Sequence, residues 1–245
     1  MTLCVVLLLE VPATHSPLAA QLTPEWLREA AVSLQAQLQW DVAPVWPYAK
    51  DATVRVGSGP DDLGPGEIPA RILATLPDAP GDIAYHSFDS DAPDVFLGLD
   101  DCQTPDDVTS ALSHEFCETS ADPDCNLWVT VPDGIPLPDG LAAGQQIAQE
   151  NADPLQDRSY PINGFAMSDF CYPAYFGVGD GPTSYGEAKG GPRLEPFDHT
   201  PLGYLLVRNG DGSGETQLTG KMHAARQKRA RMVGSRPSRR GWRAG

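Results

Sequence analysis

Between Thr104 and Pro123 the chain carries both ends of a helix and, within it, the run Ser113-His114-Glu115-Phe116-Cys117-Glu118. Thr104 is a good N-cap, Pro105 suits the first helical position, Asp106 and Asp107 complement the positive end of the dipole, and Asp122-Pro123 marks the stop. At about 100° per residue, Val108, Leu112 and Phe116 form one apolar stripe, with Glu115 on its flank and His114 and Glu118 further round the same side. Burying the stripe therefore draws an imidazole and two carboxylates toward the interior. Without a partner these would cost several kcal/mol, so the polar side either stays wet as a solvated face or holds something positive between its groups.

The spacing favours a cation. His114 and Glu118 stand four residues apart on one helix face and can grip one divalent ion, while Glu115 is placed to activate a water there. This is the His-Glu-x-x-Glu form of a zinc hydrolase helix. Glu118 takes the place of the second histidine of the commonest zinc-peptidase motif, which makes the site harder and more anionic and opens the choice among zinc, manganese and calcium. Zinc is the expected cofactor.

The charge is divided. All 33 acidic residues precede residue 221, against 8 Lys and Arg, whereas residues 221–245 hold 9 basic residues and no acid. A body at −25 repels nucleic acid and anionic membranes, and it suits divalent cations. The tail at +9, nearly without apolar residues, is expected to be disordered; it is either a solvated appendage or a weak docking segment for nucleic acid or an acidic partner. Five cysteines, an odd number with no CxxC pair, indicate neither a disulfide framework nor a thiolate zinc site, and Cys117 reads as a packing residue. The apolar run Thr2 to Leu9 lacks a basic n-region, is broken by Glu10 and Pro12, and is too short to span a bilayer, so a buried first strand is expected rather than a signal peptide.

Along the chain, Thr23-Pro24-Glu25 caps a helix on which Leu27, Ala31, Leu34 and Leu38 recur up to about Trp40. Extended pieces are predicted at residues 53–56, 68–75, 82–88 and 94–99, before the motif helix, and at 127–131 after it. A short helix or turn is predicted over 141–150, and a hairpin joins Tyr204–Arg208 to Glu215–Leu218. No repeat, phosphate loop or GxSxG elbow is present. The expectation is an α+β fold: one domain over 1–220 with a mixed N-terminal sheet, a backing helix, the motif helix and an irregular C-terminal part, followed by the tail.

That order, with Ser113 to Pro123, Ala84-Tyr85-His86, Glu150-Asn151-Ala152-Asp153-Pro154, Tyr160 to Gly164 and Ser168-Asp169-Phe170, resembles a zincin-like metallopeptidase group of phage and actinobacterial proteins with a Ser-His-Glu-x-x-Glu-x-x-x-Asp-Pro signature. The resemblance implies a zincin-like fold, a peptide or protein substrate, and a cytoplasmic or virion-associated place with no membrane. A catalytic site needs a third protein ligand. Asp122, eight residues beyond His114 and about 12 Å along the helix, is too far and takes a supporting or helix-end role. In the Glu-x-x-Asp-Pro segment Glu150 is the expected third ligand and Asp153, one helical turn on, the residue that orients His114 or a water; an ordinary acidic surface turn is the alternative. His86 either approaches the substrate or is structural. Tyr160, Tyr175 and Tyr204 are open candidates for oxyanion contact. Two functions follow: a metal-dependent peptidase or amide hydrolase with Glu115 as base, or a non-catalytic virion-associated or interaction protein with a structural or vestigial ion site.

Overall fold

A computed structural model describes residues 3–76, 79, 82–88 and 93–219. The basic tail beyond residue 220 lies outside the described residues, so the expectation of disorder there is not addressed.

The first strand, β1 (Cys4–Leu9), is an unbroken apolar run, and such runs suit the centre of a parallel sheet covered on both faces. It pairs in parallel with β2 (Thr53–Val56), Val5 opposite Val54, and with β3 (Ile68–Leu73), Leu7 opposite Ala70. Two more strands complete this sheet. β5 (Asp94–Gly98) runs parallel to β3, and β4 (Ala84–Ser87) closes the edge antiparallel to β5, with His86 opposite Val95. The sheet order is β2-β1-β3-β5-β4, so a mixed sheet with a single reversed edge strand carries His86.

Helix α1 (Pro24–Ala36) starts where the Thr23 side chain accepts a hydrogen bond from Trp26 N, and it buries Leu27, Ala31 and Leu34. It runs into a π-helical turn over Gln37–Val42, sealed by Ala43 N donating to Leu38 O at 2.8 Å. The wider turn places Gln37, a polar residue, wholly inside the protein. Helix α2 (Pro105–Ala121) opens with a reciprocal box: Thr104 accepts from Asp107 N, and the Asp107 carboxylate accepts from Thr104 N at 2.9 Å. Every residue from Leu112 to Asp122 is buried, so this helix is enclosed on all sides over its second half.

The C-terminal part is more regular than its sequence suggests. β6 (Trp128–Thr130), β7 (Gln146–Ala148), β10 (Tyr204–Arg208) and β11 (Thr216–Thr219) make an antiparallel sheet in the order β11-β10-β7-β6. Of the short helix or turn expected over 141–150, the structure has the turn, and a strand follows it in place of a helix. Gly144, at φ 82°, turns the chain, and Ile147 pairs with both Val129 and Val207 as a buried strand residue, so tertiary pairing decides where the local pattern is ambiguous. Between these strands β8 (Ser159–Ile162) and β9 (Phe165–Ser168) form a hairpin through Asn163 and Gly164, at φ 51° and 89°, and β9 packs against α2. A last short helix, α3 (Tyr185–Ala188), is capped by Ser184. The fold is α+β with a mixed sheet and few helices. No helix among the described residues is long and apolar enough to cross a membrane.

Candidate metal centre

The polar groups of α2 divide into two sets. On the side facing α1 and β9, Ser113 Oγ donates to Gln37 Oε1 at 2.7 Å and accepts from Ser168 N at 2.8 Å, while Gln37 Nε2 donates to Ser168 O at 2.9 Å. Thr119 and Ser120 hydroxyls return to the helix's own carbonyls at Glu115 and Phe116. Each of these buried polar groups is satisfied by neutral partners, as a stable interior requires.

On the other side the partners are charged. His114 Nε2 lies 3.2 Å from Glu118 Oε1 and 3.2 Å from Asp153 Oδ1. His86, brought over by edge strand β4, places Nδ1 at 3.1 Å from Glu115 Oε2 and 3.4 Å from Glu118 Oε2, and Nε2 at 3.7 Å from Glu150 Oε2. Glu118 Oε1 also accepts from Asp153 N at 3.2 Å. The His86, Glu115, Glu118, Glu150 and Asp153 side chains are each no more than 7% exposed, and that of His114 is 11% exposed. Two imidazoles and four carboxylates therefore share one nearly dry space.

The electrostatics follow from this enclosure. Burial opposes charge on His114, but the Glu118 charge and hydrogen bonds to Asp153 and Glu118 outweigh it and hold the imidazole pKa well above its ordinary value. Burial likewise opposes charge on His86, and the neighbouring Cys125, Glu115 and Glu118 reverse that to the same result. Glu118 is pushed up by burial and pulled further down by His114 and His86, ending well below the usual carboxylate range.

His114, Glu115, Glu118, Glu150, Asp153 and His86 thus come together from three segments far apart in sequence. Within the cluster the two acids of the 150–153 segment go to different imidazoles. Asp153, not Glu150, stands beside His114, and Glu150 faces His86 instead. The physical reason is local: residues 149–152 are not helical and Asp153 begins a tight 3-10 turn, so the two acids do not share a helix face. Asp122 lies at the helix end, where its carboxylate accepts from Asn126 N and Leu127 N, each at 2.9 Å. Those bonds, with Cys125 N donating to Asp122 O at 3.1 Å, fix a turn that sets Cys125 at φ 51° with its thiol beside His86. Cys125 carries no local sequence signal, since its proximity to His86 depends on this left-handed turn. Cys117 is fully buried and its thiol is pushed far up by that burial, in keeping with packing.

A cleft of about 200 Å³ reaches the cluster, lined by Ile83, Ala84, Ala111, His114, Glu115 and Tyr204 among others. Of the three candidate tyrosines only Tyr204 lines it. Tyr160 is held by Gln37 and Asp41, and Tyr175 is fully buried and donates to Asp198 O.

Donors bound about 2.1 Å from one tetrahedral ion lie about 3.4 Å apart. The separations of 3.2 Å around His114 Nε2 match those edges, and at His86 the 3.7 Å from Nε2 to Glu150 is close to them. Buried His and Glu groups are therefore positioned to hold a metal ion, in the sets His114, Glu115, Glu118 and His86, Glu118, Glu150. Compared with known proteins, the chain matches no family model, no curated protein and no solved structure.

Proposed function

We propose that the protein is a metal-dependent hydrolase of peptide or other amide bonds, using zinc at the His-Glu-x-x-Glu helix of a zincin-like fold. The observation that carries this reading is the buried His114–Glu118–Asp153 set, with Glu115 next to it on the wall of a cleft that reaches the cluster.

His114, Glu118 and Asp153 would hold the ion, with His114 Nε2 3.2 Å from each of the two carboxylates. When bound, such an ion supplies a Lewis acid that polarises a carbonyl and acidifies water. The remaining work falls to side chains. Glu115 takes the proton of the attacking water and delivers it to the leaving amine. His86 Nδ1–H donates to Glu115 Oε2 and so fixes the carboxylate that receives the proton. Tyr204 is the candidate tyrosine on the cleft wall for contact with a carbonyl oxygen that gains negative charge. Ile83, Ala84 and Ala111 give the wall apolar surface against which a substrate side chain can lie.

Elemental analysis and a broad peptide library test this together. Glu115→Gln should keep the ion and lose hydrolysis by at least about 10² to 10⁴, the usual worth of a general base. Glu118→Gln should lose both. Wild-type protein that holds the ion yet cleaves nothing would establish the non-catalytic reading instead.

A further inference from the structure

Glu118 does not belong to one imidazole. Its Oε1 is 3.2 Å from His114 Nε2 and its Oε2 is 3.4 Å from His86 Nδ1, and this one buried carboxylate belongs to both groups of side chains close enough to hold an ion. Each set contains an imidazole, a share of Glu118 and a second acid of its own, Asp153 with His114 and Glu150 with His86. We propose that the centre binds two divalent ions bridged by the Glu118 carboxylate, one held by His114 and Asp153 and the other by His86 and Glu150. This deepens the hydrolase reading above and rests on it for the first ion.

Two observations beyond the acidic cluster support the second position. His86 donates through Nδ1 to Glu115, and its other nitrogen, Nε2, is buried with no hydrogen-bond partner. A metal-binding histidine has this arrangement: one ring N–H is committed to a carboxylate, which turns the lone pair of the other nitrogen toward the ion. An imidazole nitrogen enclosed this way without a partner is costly unless something fills the gap. The Cys125 thiol also stands beside His86, presented by the Asp122-anchored turn.

Charge points the same way. Glu115, Glu118, Glu150 and Asp153 together carry −4 with both imidazoles neutral, and two divalent ions match that number. A single ion leaves −2, or −1 with His86 protonated, in a space almost closed to water. A two-ion centre also gives the hydrolysis a second Lewis acid a few ångströms from the first, the arrangement of co-catalytic sites in hydrolases of amide and phosphate bonds.

The experiment is metal titration of the full chain, stripped by chelator and reloaded with zinc alone or cobalt alone, read by elemental analysis after desalting and by calorimetry. Wild type should take up two ions per chain, His86→Gln one, and Glu118→Gln fewer than one. In the cobalt protein the two ions should couple through the bridge, so the spin signal per cobalt should drop as the second equivalent is added. That measurement needs no variant and stands even if a substitution fails to fold. One ion in wild type, with His86→Gln unchanged, would overturn the second site and leave the hydrolase reading intact; no ion at all would overturn both. Two ions retained in Glu118→Gln would overturn the bridge.

Discussion

Ser113→Ala should separate the stability of this helix from its ion chemistry. The Ser113 hydroxyl is fully buried and makes two bonds, donating to Gln37 Oε1 and accepting from Ser168 N. Alanine removes the oxygen and little else, so an amide oxygen and a backbone N–H lose a partner in a place water does not reach. Each such orphan costs about 1–3 kcal/mol, which gives about 2–6 kcal/mol for the pair and about 3 kcal/mol after modest relaxation. For a chain of this size 1 kcal/mol corresponds to about 2–4 °C, so the melting temperature should fall by about 6–12 °C. Urea melts followed by circular dichroism measure this directly, and the slope with denaturant should not change. Metal content should stay at the wild-type level, because Ser113 faces β9 and not His114. A loss below about 0.5 kcal/mol would refute the claim that this network is closed to solvent, and loss of the ion would refute the division of α2 into two independent sides.

Other outcomes follow from the same geometry. In metal-free protein the raised His86 and His114 bind protons more tightly folded than unfolded, so their stabilisation is complete below the unfolded value of 6.5 and is lost as pH rises through the folded values. The depressed Glu118 stabilises above its unfolded value and loses that contribution on acidification. Metal-free protein should therefore melt lower at about pH 9 than at about pH 6.5, whereas zinc-loaded protein, whose imidazoles must be neutral, should not; equal pH profiles would contradict this. Gly203→Ala drives a Cβ into Pro154 O, so it should push the turn that begins at Asp153, lower the melting temperature and weaken zinc binding, and a variant with unchanged affinity would show that Asp153 is not a ligand. At the β8–β9 turn Gly164 has φ 89°, so Gly164→Ala should cost about 1 kcal/mol with no effect on metal content, as read by thermal melts. All five cysteines are free and only Cys4 is more than slightly exposed, so a thiol reagent should modify at most one in native protein and five after unfolding.

Much of this architecture is readable in the chain because local chemistry decides it. The Thr104-Pro105-Asp106-Asp107 start and the Asp122 stop place α2 correctly, and the apolar runs at 4–9, 53–56 and 94–98 become strands of the first sheet. His114, Glu115 and Glu118 are legible for the same reason, since one helix fixes their spacing. What lies beyond is set by long-range pairing. The link between Asp153 and His114 depends on how the chain leaves β7, and the place of His86 depends on the reversed direction of β4, neither of which is written locally. The Asn163-Gly164 pair is a strong hairpin signal that does appear in the sequence, partly masked by Pro161, which tolerates its place because the two-stranded ribbon leaves outer edges open.

The centre joins three parts of the chain that also share one hydrophobic core. His86 belongs to the edge of the first sheet, Glu118 to the central helix, and Glu150 and Asp153 to the segment leaving a strand of the second sheet. An ion gripped by all three would act as a cross-link closing a loop of about 65 residues, and cross-links over such spans restrict the unfolded chain by several kcal/mol of entropy. The practical consequence concerns cooperativity. With the clamp filled, the two sheets should open as one unit in hydrogen exchange; with it empty, the antiparallel C-terminal sheet should exchange ahead of the parallel core, so that chelation would turn one unfolding event into two.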